Sequence, residues 1–163
     1  GPSVRTRIED GVLSALAVLG VICIVATIAA FALNISLIMF KTGSMSPTIP
    51  AGSLAVVRET PASEIRVGDI TTVARGEGQL PVTHRVISTT PVGGGAYSIE
   101  MKGDANDSPD PHPYEVTEAK KVLWHLPGLA YIVATVSQPI YMVVITLVAS
   151  LLVVWSFWPR KQV

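Results

Sequence analysis

Three short motifs carry the residue types of acyl-transfer chemistry. The first is Thr42-Gly43-Ser44-Met45-Ser46-Pro47-Thr48-Ile49, a polar turn directly after a long apolar run. The second is Thr83-His84-Arg85-Val86-Ile87, and the third is Lys102-Gly103-Asp104-Ala105-Asn106-Asp107-Ser108-Pro109-Asp110. A serine hydroxyl is a weak nucleophile until a neighbouring base takes its proton. A neutral imidazole can do this at neutral pH, and a carboxylate behind it fixes the tautomer that does so. Gly43 permits unusual backbone angles and Pro47 stiffens the exit of the turn. Together they favour a hydroxyl exposed beside free backbone N–H groups, the donors a tetrahedral oxyanion requires. Thr42, two residues before Ser44, offers a hydroxyl as a second donor.

Each of these residues also has an ordinary reading. A serine in such a turn is most often just a turn residue, and a strand histidine most often fills space. His112, between Pro111 and Pro113, and His125, at the entry to a second apolar run, compete with His84. His84 is preferred because an extended segment puts it on one face with Val82 and Val86, a rigid setting that the other two lack. Asp104, Asp107 and Asp110 crowd one loop, and any of them could orient the imidazole. Their spacing does not match an EF-hand loop, and no two histidines have helix-face ligand spacing. No metal and no other cofactor is therefore expected. Lys41 and Lys102 are alternative bases, but each would need its pKa lowered by roughly three units. Lys41 reads more naturally as a snorkelling anchor, and Lys102 stands beside Asp104. Cys23 is the one cysteine, so no intramolecular disulfide and no cysteine-based metal or thiol site is supported.

The elements that must position these groups lie between two hydrophobic stretches. Val12 to Phe40 holds 29 residues without a charge, and Leu126 to Trp158 is likewise uncharged. A helix rises about 1.5 Å per residue, so the first run exceeds the roughly 30 Å of a bilayer core. It is also too long for the apolar core of a cleaved signal peptide. In the second run, Ile140 to Trp158 is the best spanning piece, with Pro139 as its start or kink. Between the runs, residues 41–125 hold eight of the twelve prolines, which argues against long helices. Strands are predicted at Ser53–Arg58, Asp69–Ala74, Pro81–Ser88, Ala96–Lys102 and Lys120–Trp124, with one helical turn at Pro61–Ile65. Val92-Gly93-Gly94-Gly95 reads as a hairpin connection.

The predicted fold is a mainly β extracytoplasmic catalytic domain anchored by two transmembrane α-helices. Its segments are a cytoplasmic stretch 1–11, a first span 12–40, the β domain 41–128, an interfacial segment with the second span 129–158, and a tail 159–163. Gly1-Pro2-Ser3 reads as an expression scar and carries no weight in this division. So small a β domain buries only a modest core, and its sheet is expected to lean on the membrane for cover. Arg5 and Arg7 before the first span, with Arg160 and Lys161 after the second, place both flanks in the cytoplasm. A net charge of zero gives no nucleic-acid reading.

Taken in order, the three motifs resemble those of type I signal peptidases. The likeness is closest to the histidine-bearing group found in archaea, some Gram-positive bacteria and the endoplasmic reticulum. Thr42–Ile49 resembles the nucleophile box, and Thr83–Ile87 matches the position where other bacterial enzymes carry Lys-Arg-Val. Lys102–Asn106 with Asp110 resembles the acidic box, departing from it at Ala105, and Val67-Gly68-Asp69-Ile70 resembles a recurrent turn into a strand. The resemblance implies a membrane-bound serine endopeptidase that removes signal peptides after small residues in an Ala-x-Ala pattern. It implies Ser44 as nucleophile, His84 as general base, Asp110 as triad acid and Asp104 as an assisting carboxylate. The oxyanion donors would be Ser44 and Thr42, with Met45 and Val82 near the bound substrate. Signal-peptide-bearing precursors, the lipid bilayer and the translocation machinery are the implied partners. Two rival readings are a non-enzymatic β module scaffolding a translocation or surface-assembly complex, and a metal-dependent hydrolase built on the aspartate loop.

Overall fold

A computed structural model describes residues 3–159, so Gly1, Pro2, Arg160 and Lys161 lie outside the described residues. Contacts divide the chain into a β unit, Ala30–Ile132, and a helical unit formed by the residues on either side of it. The β unit is a curled sheet of seven antiparallel strands in the order β1-β2-β7-β3-β4-β5-β6. The strands are β1 (Ile35–Met39), β2 (Leu54–Pro61), β3 (Ile70–Val73), β4 (Val82–Gly93), β5 (Ala96–Lys102), β6 (Tyr114–Val116) and β7 (Glu118–Leu126). One turn of 3₁₀ helix, Ala62–Glu64, follows β2.

Alternation of apolar and polar residues puts one face of each strand inward. Two cores result. Ile65, Val73, Val86, Ile99, Met101 and Ala119 form one, and Phe40, Met45, Ile49, Ala55 and Val57 form the other. The turn Thr42–Ile49 thus belongs to the second core through Met45 and Ile49, both with no exposed surface. The opposite face of β1, β2 and β7 is apolar as well. Leu37 pairs with Val56 and Val56 with Trp124, while Met39 pairs with Leu54 and Leu54 with Leu126. Residues paired directly across strands point to the same side. Leu37 is 61% exposed and Trp124 59%, so this sheet face is uncovered within the unit.

In the helical unit, α1 runs Val4–Ala32 and α3 runs Pro139–Phe157, with Pro139 at its first turn. A shorter helix, α2 (Leu129–Val136), starts in the β unit. Both α1 and α3 are long and apolar enough to cross a membrane. Three of their hydroxyls bond to the backbone one turn earlier: Thr27 donates to the Cys23 carbonyl, Thr146 to Met142 and Ser150 to Thr146. Apolar surroundings demand such pairing. The Arg5 guanidinium lies 5.5 Å from the centre of the Trp155 ring, a cation–π contact between α1 and α3.

The boundaries of the first span need correction. The helix starts at Val4 and ends at Ala32, short of Phe40, and the β unit begins at Ala30. Asn34 takes φ +54°, a left-handed angle that asparagine tolerates, and its carbonyl accepts from Glu59 N at 3.1 Å. Beyond it Ile35-Ser36-Leu37-Ile38-Met39 joins the sheet. Apolarity alone cannot separate the end of a span from a buried strand. Strand β4 also runs five residues past its predicted end, and β6 is an addition.

Candidate active site

Strand β4 holds His84 on its inward face, opposite Thr71 of β3, with the histidine 8% exposed. The next residue, Arg85, pairs with Lys102, the last residue of β5. The loop 103–113 leaves β5 there and folds back, fastened where Asp110 N donates to Met101 O at 2.9 Å. This return brings the Asp110 carboxylate onto His84. Nδ1 lies 2.7 Å from Oδ1 and 2.8 Å from Oδ2, with the two side chains 10% and 6% exposed. A carboxylate accepts and does not donate, so Nδ1 carries the proton, and Nε2 is the ring nitrogen without a hydrogen-bond partner among the described residues. Tyr114 on β6 donates its hydroxyl to Asp110 Oδ2 at 2.9 Å.

The same loop grips the box Thr42–Ile49. Ala105 N donates to the Ser44 carbonyl at 2.9 Å. Gly103 makes this approach feasible, because a Cβ there would stand 2.7 Å from the Ser44 carbonyl oxygen and 2.7 Å from Asn106 Nδ2. Thr48 donates its hydroxyl to Asp104 Oδ2 at 2.6 Å. Asp104 accepts a forked pair from Arg85, Nε to Oδ1 at 2.8 Å and Nη2 to Oδ2 at 2.7 Å. Arg85 Nη1 reaches the Gly68 carbonyl at 2.9 Å. Bidentate guanidinium–carboxylate geometry is strong and direction-specific. The bond from Arg85 holds Asp104 below the usual carboxylate range. Burial opposes this, and the Thr48 hydroxyl and the Arg85 charge add to the lowering. Arg85 is raised above its ordinary value chiefly by the same bond.

Ser44 is half-buried, and its N–H donates to no group among the described residues. Its hydroxyl lies 3.4 Å from Thr42 Oγ1, longer than an ordinary O–H···O bond. No hydrogen bond joins Ser44 to His84 among the described residues. The expected site residues therefore fall into two groups, each held by loop 103–113. His84 and Asp110 form a pair, while Ser44, Thr42 and Asp104 gather at the box and the arm that clamps it. Met45 is a wholly buried core residue beneath the box, and Val82 packs from β4 against the first core. Asp107 makes no side-chain contact among the described hydrogen bonds and ion pairs. His125 does sit in a strand, β7, opposite Ala55. His112 lines a cleft of about 520 Å³ with Arg75, Tyr114 and Glu115.

Sequence reasoning missed Tyr114. Its only signal was an aromatic residue four positions after Asp110, within a proline-rich stretch. Among the described residues, no three His, Cys, Asp or Glu side chains gather to hold a metal ion. No protein-family model matches the chain, and no curated protein matches it.

Proposed function

We propose that this protein is a membrane-bound serine endopeptidase of the signal-peptidase type. It cuts secreted precursors after small residues in an Ala-x-Ala pattern, with its β unit on the extracytoplasmic side of the cell membrane. The His84–Asp110 pair carries this reading, because it leaves Nε2 of a strand-held imidazole free to take a proton. Ser44 supplies the nucleophile from the turn that the same loop fastens through its carbonyl. In the reaction, Ser44 Oγ attacks the scissile carbonyl as Nε2 takes its proton. The bond between carbonyl carbon and leaving nitrogen then breaks, and His84 protonates that amine. Water, deprotonated by His84, then attacks the ester carbon, the bond from that carbon to Ser44 Oγ breaks, and His84 returns the proton to Oγ. The free Ser44 N–H and the Thr42 hydroxyl are the donors offered to the oxyanion. A Ser44 hydroxyl without a bond to His84 agrees with a free enzyme, in which catalytic hydrogen bonds often close only around substrate. The helices confine enzyme and precursor to one surface and so raise their effective concentration.

The test is cleavage of a membrane precursor with an Ala-x-Ala site by purified protein in detergent. Ser44→Ala and His84→Ala should each abolish cleavage while melting like the parent. Full activity in either variant, in folded protein, ends the proposal. A second reading draws on the uncovered sheet face, which a non-catalytic docking module would also present. It requires Ser44→Ala to be silent in every assay of the chain.

A further inference from the structure

We infer that Tyr114 is a positioning residue that holds the Asp110 carboxylate in the rotation which orients His84. This rests on the endopeptidase reading above for its catalytic consequence, but not for its geometry. The terminal torsion of an aspartate is soft and roughly two-fold, so backbone placement alone does not fix the direction of its oxygens. Two bonds place the acid here. Asp110 N is tied to Met101 O of β5, which sets the backbone. Tyr114 Oη lies 2.9 Å from Oδ2, which sets the carboxylate plane. Both are referred to the same strand, since Tyr114 pairs with Ile99 of β5. The three-residue strand β6 thus lays the phenol against the acid.

Among the described residues His84 and Tyr114 are the two side chains bonded to the Asp110 carboxylate. Removing the phenol hydroxyl leaves the Nδ1–H that both oxygens share as the one side-chain donor to the carboxylate among the described residues, and loosens the torsion. Burial first, and then the bond to Asp110, hold the phenol above its ordinary range, so it stays protonated and donates. Tyr114 also forms part of the wall of the cleft with Arg75 and His112.

Precursor cleavage is measured for the parent, Tyr114→Phe, Asp110→Asn and the double variant. Tyr114→Phe should lower kcat roughly tenfold with KM unchanged, as expected for losing a hydrogen bond to a charged group. In the Asp110→Asn background it should cost nothing further, because a residue acting through another loses its effect when that partner is gone. A second readout does not depend on turnover. In inactive Ser44→Ala protein, the downfield proton signal of the His84 Nδ1–H, assigned by its loss in His84→Gln, should broaden or vanish on adding Tyr114→Phe. Parent-like kcat, an equal loss in both backgrounds, or an unchanged Nδ1–H signal would overturn the inference. Cleavage that survives Ser44→Ala would instead sink the endopeptidase reading, leaving the spectroscopic result to decide on Tyr114.

Discussion

Asp104 and Asp110 stand on one loop yet take opposite partners, and this division separates what each can do. Asp110 faces an imidazole, so its replacement by asparagine removes the acceptor that fixes the tautomer. Asp110→Asn should lower kcat by about 10³- to 10⁴-fold, the scale for a triad acid, with little change in KM. Asp104 faces a guanidinium and the Thr48 hydroxyl, so it acts on the shape of the box. Asp104→Asn should cost activity through misplacement of Ser44, at most about a hundredfold. The two variants assayed side by side check this order, and equal losses would contradict it. Asp104 also makes a pH signature. Its folded pKa lies below its unfolded value, so its stabilising contribution is complete above the unfolded value of about 3.9. It is lost as pH falls from there through the folded pKa. The melting-temperature gap between parent and Asp104→Asn should be constant near neutrality and shrink below about pH 4. A gap as large at about pH 2 as at neutrality would rule that contribution out. Sequence alone left three aspartates open on physical grounds, because which carboxylate meets His84 depends on how loop 103–113 returns to Met101.

At the scale of elements, two glycines decide how the box is held. Gly103 has no room for a Cβ beside the Ser44 carbonyl. Gly103→Ala must push that carbonyl or the Asn106 side chain away, which breaks the tie between box and loop. Its expected effect is a loss of kcat together with a lowered melting temperature. Gly52 has φ +83°, and a Cβ there would fall 2.0 Å from the Tyr131 ring of α2. Its carbonyl also accepts from Ala130 N at 3.0 Å, so the turn after the box is the seat of that helix. Gly52→Ala combines backbone strain with a ring clash and should destabilise the β unit by more than about 1 kcal/mol. Thermal or denaturant unfolding of the purified protein measures both. Legibility follows the same physics. Strands β2, β3, β4, β5 and β7 were predicted because alternation and flanking turns mark half-buried strands. Strand β1 was hidden inside an apolar run read as membrane span. Strand β6 was hidden by its three-residue length among prolines, and Tyr114 was hidden with it.

Over the whole molecule, the open question of cover concerns the face made by Leu37, Met39, Leu54, Val56, Trp124 and Leu126. Water is a poor neighbour for so continuous an apolar surface. Only Leu33 and Asn34 separate α1 from β1, and only Pro127 and Gly128 separate β7 from the apolar α2. Strands β1 and β7 are thus tethered at Ile35 and Leu126, at opposite ends of this face. If both tethers reach the bilayer surface, the strands between them lie along it. An indole at that depth would have an apolar body in the acyl boundary and a polar edge among headgroups. In a variant with Trp155→Phe and Trp158→Phe, Trp124 is the remaining tryptophan of the three. In lipid vesicles its emission should be blue-shifted and quenched most by lipids brominated near the headgroup. Emission typical of water, quenched by aqueous iodide and not by the brominated lipids, would show that another surface covers this face. Precursor cleavage in the same vesicles links placement to activity. Trp124→Ser with Leu37→Ser should slow cleavage of membrane-bound precursor while sparing a short soluble peptide. That split separates a docking face from a folding defect, since unfolding would remove both activities together.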